Sequence, residues 1–282
     1  MQKLFNKILV PVDFSSKSKS AIEKAVEIST RHNCSIYLLH VVTTSPFELI
    51  SIGESPVGTP YNIIDKNLQL EFQLEKHAEY AKRLAGHSVK IGFGVTEGTW
   101  NKTIIDLVNE QNFDLVLVGQ KKKIMGNRNM LINPDKIAVN TNVPVITVPA
   151  NRKIASLYSI VIPITDFLPV RKLMYGIYIA AGNNTSIKLL GIENEQTKES
   201  VQYYMAKAYR LIRDNCNVKV ELETMYCDNV ADAVNKYSTL KSGDMVILHP
   251  GAQTNMPGFF TSLVYSIIRK YAMPPILTVT HG

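Results

Sequence analysis

Lys7-Ile-Leu-Val-Pro-Val-Asp-Phe-Ser15 near the start of the chain returns in altered form as Ser159-Ile-Val-Ile-Pro-Ile-Thr-Asp-Phe167 past its middle. An internal repeat of this kind decides the architecture before any other feature is weighed. Pro11 and Pro163 stand 152 positions apart, and Leu38-Leu-His-Val41 matches Leu189-Leu-Gly-Ile192 at an offset of 151. Asp114-Leu-Val-Leu-Val118 matches Asp244-Met-Val-Ile-Leu248 at 130, and Val143-Pro-Val-Ile-Thr-Val148 matches Pro274-Pro-Ile-Leu-Thr-Val279 at 131. Four matches in one order describe a tandem duplication that loses register once, by 21 residues, between Val41 and Asp114. The division predicted is a first domain over 1–150 and a second over 151–282.

Length and composition agree with two domains. A chain of 282 residues allows about 140 for each, enough to bury a core. With 45% hydrophobic and 20% charged residues it has the balance of a globular protein. The net charge of +7 is spread over both halves, 17 basic against 14 acidic residues up to 149 and 14 against 10 after it. Neither half carries the concentrated charge of a nucleic-acid binder, so no nucleic-acid partner is predicted. Cys34, Cys216 and Cys227 are odd in number and form no Cys-x-x-Cys pair, which points to a reducing compartment. Without a signal segment or an apolar run of 18 residues, no membrane partner is expected and the location predicted is the cytoplasm.

Strands and helices alternate through both halves. Short β-branched runs at 8–12, 36–42, 89–93, 115–118 and 145–148 are too continuously apolar for strands wet on one face, so they read as a parallel sheet covered on both sides. Between them lie helical patterns: Ala21, Ile22, Ala25, Val26 and Ile28 after Ser16 or Ser18 as N-cap; 68–85, ending at Gly86; Ile104, Ile105 and Val108; and Ile137 with Ala138. The second half repeats the scheme with strands near 160–164, 187–192, 218–222, 245–248 and 276–279. Residues 43–64, with three prolines and two glycines, account for the 21 extra positions. This excursion leaves the carboxyl end of the second strand, where doubly wound sheets bind ligands, and reads as a lid or as a passive surface loop.

The opening Ile8-Leu-Val-Pro-Val-Asp-Phe-Ser15, the strand ending Leu39-His-Val41, and the closing Asp114-Leu-Val-Leu-Val-Gly119 through Asn142-Val-Pro-Val-Ile-Thr-Val148 together resemble the universal stress protein family in its tandem form. The likeness spans nearly all of the first half, and the second half follows more weakly. The resemblance implies an α/β fold of two tandem flavodoxin-like or Rossmann-like domains of the adenine nucleotide alpha hydrolase type. Each would be a five-stranded parallel sheet of order 3-2-1-4-5. The two would pair through their last strands as an internal pseudo-dimer, hiding two sheet edges. A homodimer and an unidentified protein partner are further options. Some family members bind ATP and others do not.

The same resemblance identifies a candidate nucleotide site. Pro11, Val12 and Asp13 stand where the first strand of ATP-binding members meets adenosine, and Val41 stands where the second-strand backbone holds adenine. A strand-end carboxylate can accept bonds from ribose hydroxyls; Asp13 can equally serve as a turn or cap residue before the next helix. The family phosphate loop is a glycine, two residues, a second glycine, nine residues, then glycine and a hydroxyl residue. The glycines let backbone amides approach phosphate, and the last pair opens a helix. Gly119 keeps the first place, but Lys122 holds the second. By strict count Ile132 and Asn133 hold the final pair; a one-residue gap moves them to Leu131 and Ile132. Lys121-Lys-Lys123 and Arg128 could meet phosphate as point charges, and Gly126 could permit an unusual turn; the lysines also read as a solvated loop face. Weak or absent ATP binding is predicted, with AMP or adenosine the better ligand and no cofactor required.

The second half departs further. Thr165 takes the aspartate place with Asp166 one residue late, Gly191-Ile192 replaces His-Val, and His249, Ala252 and Ser262-Leu263 replace the loop residues, with Gly251 and Gly258 off the spacing. His249 lacks a paired carboxylate or nucleophile in sequence and reads as structural. Gly92-Phe-Gly-Val-Thr-Glu-Gly98 reads as a turn, one residue too long for a dinucleotide loop. No catalytic or metal motif is found. The expectation is a non-catalytic stress-response protein with a degraded adenine-nucleotide pocket. The alternatives are a nucleotide-free interaction module and, third, a weak ATPase.

Overall fold

The computed structural model describes residues 3–43, 61–119, 132–149, 158–181, 184–228, 230–240, 245–250 and 274–281. The first half runs β1 (Lys7–Pro11), α1 (Ser16–His32), β2 (Ser35–Val42), α2 (Tyr61–Ala85), β3 (Ile91–Glu97), α3 (Trp100–Gln111), β4 (Leu115–Gly119), α4 (Pro134–Thr141) and β5 (Val145–Val148). The second runs β6 (Ser159–Ile164), α5 (Val170–Ala180), β7 (Ser186–Glu193), α6 (Lys198–Asn215), β8 (Val220–Tyr226), α7 (Val230–Leu240), β9 (Met245–Leu248) and β10 (Ile276–Thr278). The strands join into one ten-stranded sheet of order β3-β2-β1-β4-β5-β10-β9-β6-β7-β8. Each half therefore has the order 3-2-1-4-5 in its own count, with parallel pairing throughout. The two halves meet where β5 and β10 pair antiparallel, with Leu277 opposite Ile146.

Alternation along the strands sorts the core onto two faces. Ile8, Val10 and Val12 of the first strand region face a cluster that takes in Ile22 of α1 and Leu74 of α2. The same cluster continues through Ile146 and Leu277 to Leu173 of α5 and Met205 of α6, so this layer runs unbroken across the junction. On the other face Leu9 packs under α3 and α4 with Trp100, Ile104 and Ile137, while Val161 and Leu190 pack under α7 with Val234 and Tyr237.

Two further contacts tie the halves together. Phe5, fully buried, stacks on Tyr175 of α5 at 5.8 Å between centroids and meets Tyr178 edge-on at 5.1 Å. Arg171 of α5 donates to the side chain and the carbonyl of Asn142, the C-cap of α4, and also to the Thr280 hydroxyl.

Several local expectations shift. β3 begins two residues later than expected and includes Gly92 and Gly94, so the stretch read as a turn is strand. Tyr37 of β2 explains the glycines. It pairs with Gly92, its ring lies across both positions, and a Cβ on Gly92 would come within 3.1 Å of it. Only Gly98, at φ +147, fits the turn reading. β8 likewise begins at Val220 rather than 218, in the register that sets Val220 beside Ile187. α1 starts at Ser16 with Ser15 as its N-cap. Ser18, expected as a cap, instead donates its hydroxyl to the Ser15 carbonyl at 2.9 Å. α2 starts at Tyr61, inside the segment read as an excursion; residues 44–60 of that segment lie outside the described residues.

Candidate functional site

The carboxyl ends of β1, β2 and β4 bring most of the sequence-predicted residues together. Pro11 closes β1 opposite Leu39, and the Val12 N–H donates to the Leu39 carbonyl at 2.7 Å. Asp13 follows at the tip, where its Oδ1 accepts from the Ser15 amide at 3.1 Å and the Ser15 hydroxyl at 2.6 Å. Its carboxylate is thus held in place by the turn that leads into α1. Phe14 makes that turn possible only by adopting φ 60, unusual for a residue with a side chain.

Strand parity settles where Val41 presents its backbone. Ser35 and Leu39 bond toward the β1 side, through Asn6 and Val12, whereas Ile36 and Val42 bond toward the β3 side, through Lys90 and Gly98. Val41 shares the parity of Leu39, so its N–H and C=O turn toward β1 at a level beyond the end of that strand. A donor and an acceptor side by side at a strand end can read a purine edge, and Val41 as a whole residue is buried.

An aromatic group surrounds this point that motif reading did not single out. His40 Nδ1 lies 2.7 Å from the Val12 carbonyl. A carbonyl can only accept, so Nδ1 carries the proton. The His40 ring lies 4.5 Å from Phe14 and 5.7 Å from Trp100, and His77 of α2 lies 5.5 Å from Phe14. Burial lowers the His40 pKa, against the opposing effects of the Val12 bond and the Asp13 charge, which favours neutral imidazole at pH 7. The histidine in Leu39-His-Val41 was the available sequence signal; Phe14 and Trp100 gave none.

The phosphate side differs. Gly119 ends β4 beneath the first turn of α1, where a Cβ would come within 2.5 Å of the Lys17 carbonyl carbon and 2.8 Å of the Ser18 nitrogen. Close packing of helix on strand therefore requires this glycine with no phosphate in view. Asn133 caps α4, its Oδ1 accepting from Lys136 N at 3.0 Å while its own N–H donates to Asn101 Oδ1 at 2.7 Å. Pro134 and Asp135 follow in the first turn, and Asp135 is buried. A carboxylate already occupies the positive end of this helix, so a phosphate there would meet like charge. Ile132 packs against the core under α3. Lys122 and Gly126, with Lys121, Lys123, Arg128 and Leu131, lie outside the described residues.

The corresponding end of the second half has other chemistry. His249 follows β9, and its Nδ1 lies 2.7 Å from the Val279 carbonyl. The ring stacks on His281 at 3.6 Å and lies 5.6 Å from Phe167. Lys172 of α5, buried on the apolar side of its helix, donates to the Pro163 carbonyl at 2.9 Å. Ala252, Gly251, Gly258, Ser262 and Leu263 lie outside the described residues. Among the described residues no three metal-ligating side chains cluster, and no helix is long and apolar enough to cross a membrane.

Known proteins share this organisation. The universal stress protein family matches residues 4–149. A universal stress protein of Methanocaldococcus jannaschii is 27% identical over 153 residues, 54% of this chain and 86% of that protein. Universal stress protein A of Salmonella typhi is 29% identical over 139 residues, 46% of this chain and 88% of that protein. The crystal structure of a universal stress protein from Archaeoglobus fulgidus is similar over 99% of this chain and 98% of its own, with a TM-score of 0.74 at 15% identity, a likeness of fold. With a family match over half its length and the strand order and strand-tip residues described above, this chain belongs to the universal stress protein family.

Proposed function

We propose that this family member is a non-catalytic, cytosolic stress-response protein whose residues 1–150 carry a degraded adenine-nucleotide pocket, with weak or no ATP binding. Residues 151–282 serve as its built-in partner, so the chain is an internal pseudo-dimer joined along β5 and β10. The observation that carries this reading is the contrast across the first-half strand tips. The Val41 peptide turns toward the β1 side beyond the end of that strand, near Asp13, Phe14 and His40, while α4 is already capped by Asn133 and bears Asp135. Pro11, Val12, Asp13 and Val41 would contact adenosine or AMP; Gly119 and Asn133 serve the scaffold.

Calorimetry of the full chain with adenosine, AMP and ATP, with and without magnesium, tests this. Adenosine and AMP binding that ATP does not better, and that weakens about tenfold in Asp13→Ala, is the expected result. Tight, magnesium-dependent ATP binding would refute the closed phosphate end.

A second reading draws on Asp13 and Gly119 themselves. Ser15 already engages the carboxylate, and helix packing already accounts for the glycine. Both residues are thus explained without a nucleotide, as a pure interaction module requires. Absence of any adenosine or AMP binding would favour it.

A further inference from the structure

Lys172 and His249 are buried polar groups whose chemistry the first-half pocket does not use. Lys172 is 4% exposed, and among the described residues its ammonium makes one hydrogen bond, to the Pro163 carbonyl at the end of β6. No carboxylate among the described residues pairs with it, an unusual state because buried charges are ordinarily matched by a partner. His249 is 7% exposed. Its Nδ1 must donate to the Val279 carbonyl, so Nε2 presents a lone pair, and that atom is buried without a hydrogen-bond partner. Both groups flank the Phe167 ring, at 6.0 and 5.6 Å, one with donors to spare and one asking for a donor.

Their position is where this fold takes ligands. β6 pairs with β9, and the chain crosses from β6 to β7 on one side while β9 leads to β10 on the other. The cluster lies at the carboxyl ends of these two strands, at the switch point of the second half. Phe167 lies 6.0 Å from the Lys172 ammonium and 5.4 Å from His281, and His281 is exposed, so the cluster reaches solvent along that ring. The charged groups felt at His249 are Lys172, His281 and Arg171, all basic. An anion would be the one missing component.

We propose that Lys172 and His249, flanked by Phe167 and His281, form a binding site for a small phosphate, either inorganic phosphate or a phosphate monoester. The Lys172 ammonium donates to unprotonated phosphoryl oxygens, and the P–OH of the monoprotonated anion donates to His249 Nε2. This pairing separates phosphate from other oxyanions. Phosphate keeps a proton to about pH 6 to 7, whereas carboxylate and sulfate at neutral pH have none to give. His249 stands where the first half keeps Gly119, so the contact proposed here is made by side chains and not by a glycine loop, and it does not depend on the adenosine reading for the first half.

The test is a titration of the full chain, with its histidines labelled with nitrogen-15, by inorganic phosphate, glycerol phosphate, acetate and sulfate. The His249 Nε2 resonance should move and saturate with phosphate, glycerol phosphate or both, and the two arms separate free anion from monoester. Acetate and sulfate should leave it in place. Lys172→Met, which removes a buried charge while keeping the side chain long and apolar, should weaken phosphate binding at least about tenfold and leave adenosine binding unchanged. No saturating shift, an equal response to acetate, or equal phosphate affinity in Lys172→Met would each overturn the proposal. Should Lys172→Met fold poorly, the wild-type response to phosphate against acetate still decides.

Discussion

Gly119 and His249 occupy matching places at the tips of β4 and β9, and they show how two copies of one fold can diverge at one atom's distance from a shared scaffold. In the first half α1 begins early and presses its Lys17 and Ser18 backbone onto the strand tip, so that nothing larger than glycine fits. In the second half Phe167, Leu168 and Pro169 precede α5, with Pro169 as its N-cap. That later helix start admits a histidine, an aromatic ring and a buried lysine. The strands beneath keep their order in both halves because their cores are set by alternation over several residues. The tips depend on single residues and are free to change.

The comparison requires both tips to ride on one cooperative sheet, and the largest effect tests that. Phe5→Ala removes a fully buried ring packed on Tyr175 and Tyr178 across the junction, so a loss of about 3–5 kcal/mol is expected in urea unfolding. One unfolding transition shifted as a whole would sharpen the comparison; two separate transitions would break it.

Gly119→Val should cost about 3 kcal/mol, because its Cβ meets backbone that cannot rotate away. His249→Gly should cost about 1 kcal/mol, chiefly the bond to Val279. Equal costs at the two tips would remove the distinction drawn between them.

Acid and base should act on the second tip. Burial lowers Lys172 from 10.5 to about 7, so between these values the unfolded chain holds a proton that the folded chain has lost. Stability contributed by this group therefore rises with pH from about 7 to about 10.5. Burial, aided by the Lys172 charge, lowers His249 from 6.5 to about 3, and the same sign makes stability fall as pH drops through that interval. Lys172→Met should flatten the alkaline rise, an effect of the order of a few kcal/mol at most, read from urea midpoints across pH. A variant with the wild-type pH profile would show that Lys172 is not the titrating group. Smallest is Asn133→Ala, which should lower stability by about 1 kcal/mol through loss of the α4 cap, without altering adenosine affinity.

Much of the architecture was legible because it rests on repetition and alternation. The matched runs at Pro11 and Pro163 predicted ten strands, and the family resemblance implied the β5–β10 meeting. What escaped depended on neighbours distant in sequence. Gly92 and Gly94 looked like turn residues because nothing local reveals that Tyr37 lies over them. The strand-end motifs put Asp13 and Val41 at neighbouring strand tips, where the structure has them, but His40's bond to Val12 required the two strands to be laid side by side. Lys172 carries a signal within the helical pattern itself. It stands next to Leu173, Gly176 and Ile177 on the buried side of α5, where a lysine has no ordinary reason to be.

The most direct test of two divergent tips is a backbone amide map of nitrogen-15-labelled protein titrated with adenosine. The account predicts that the Asp13 and Val41 amides move while the Leu248 and His249 amides stay. Adenosine shifts at His249, or none at Val41, would contradict it.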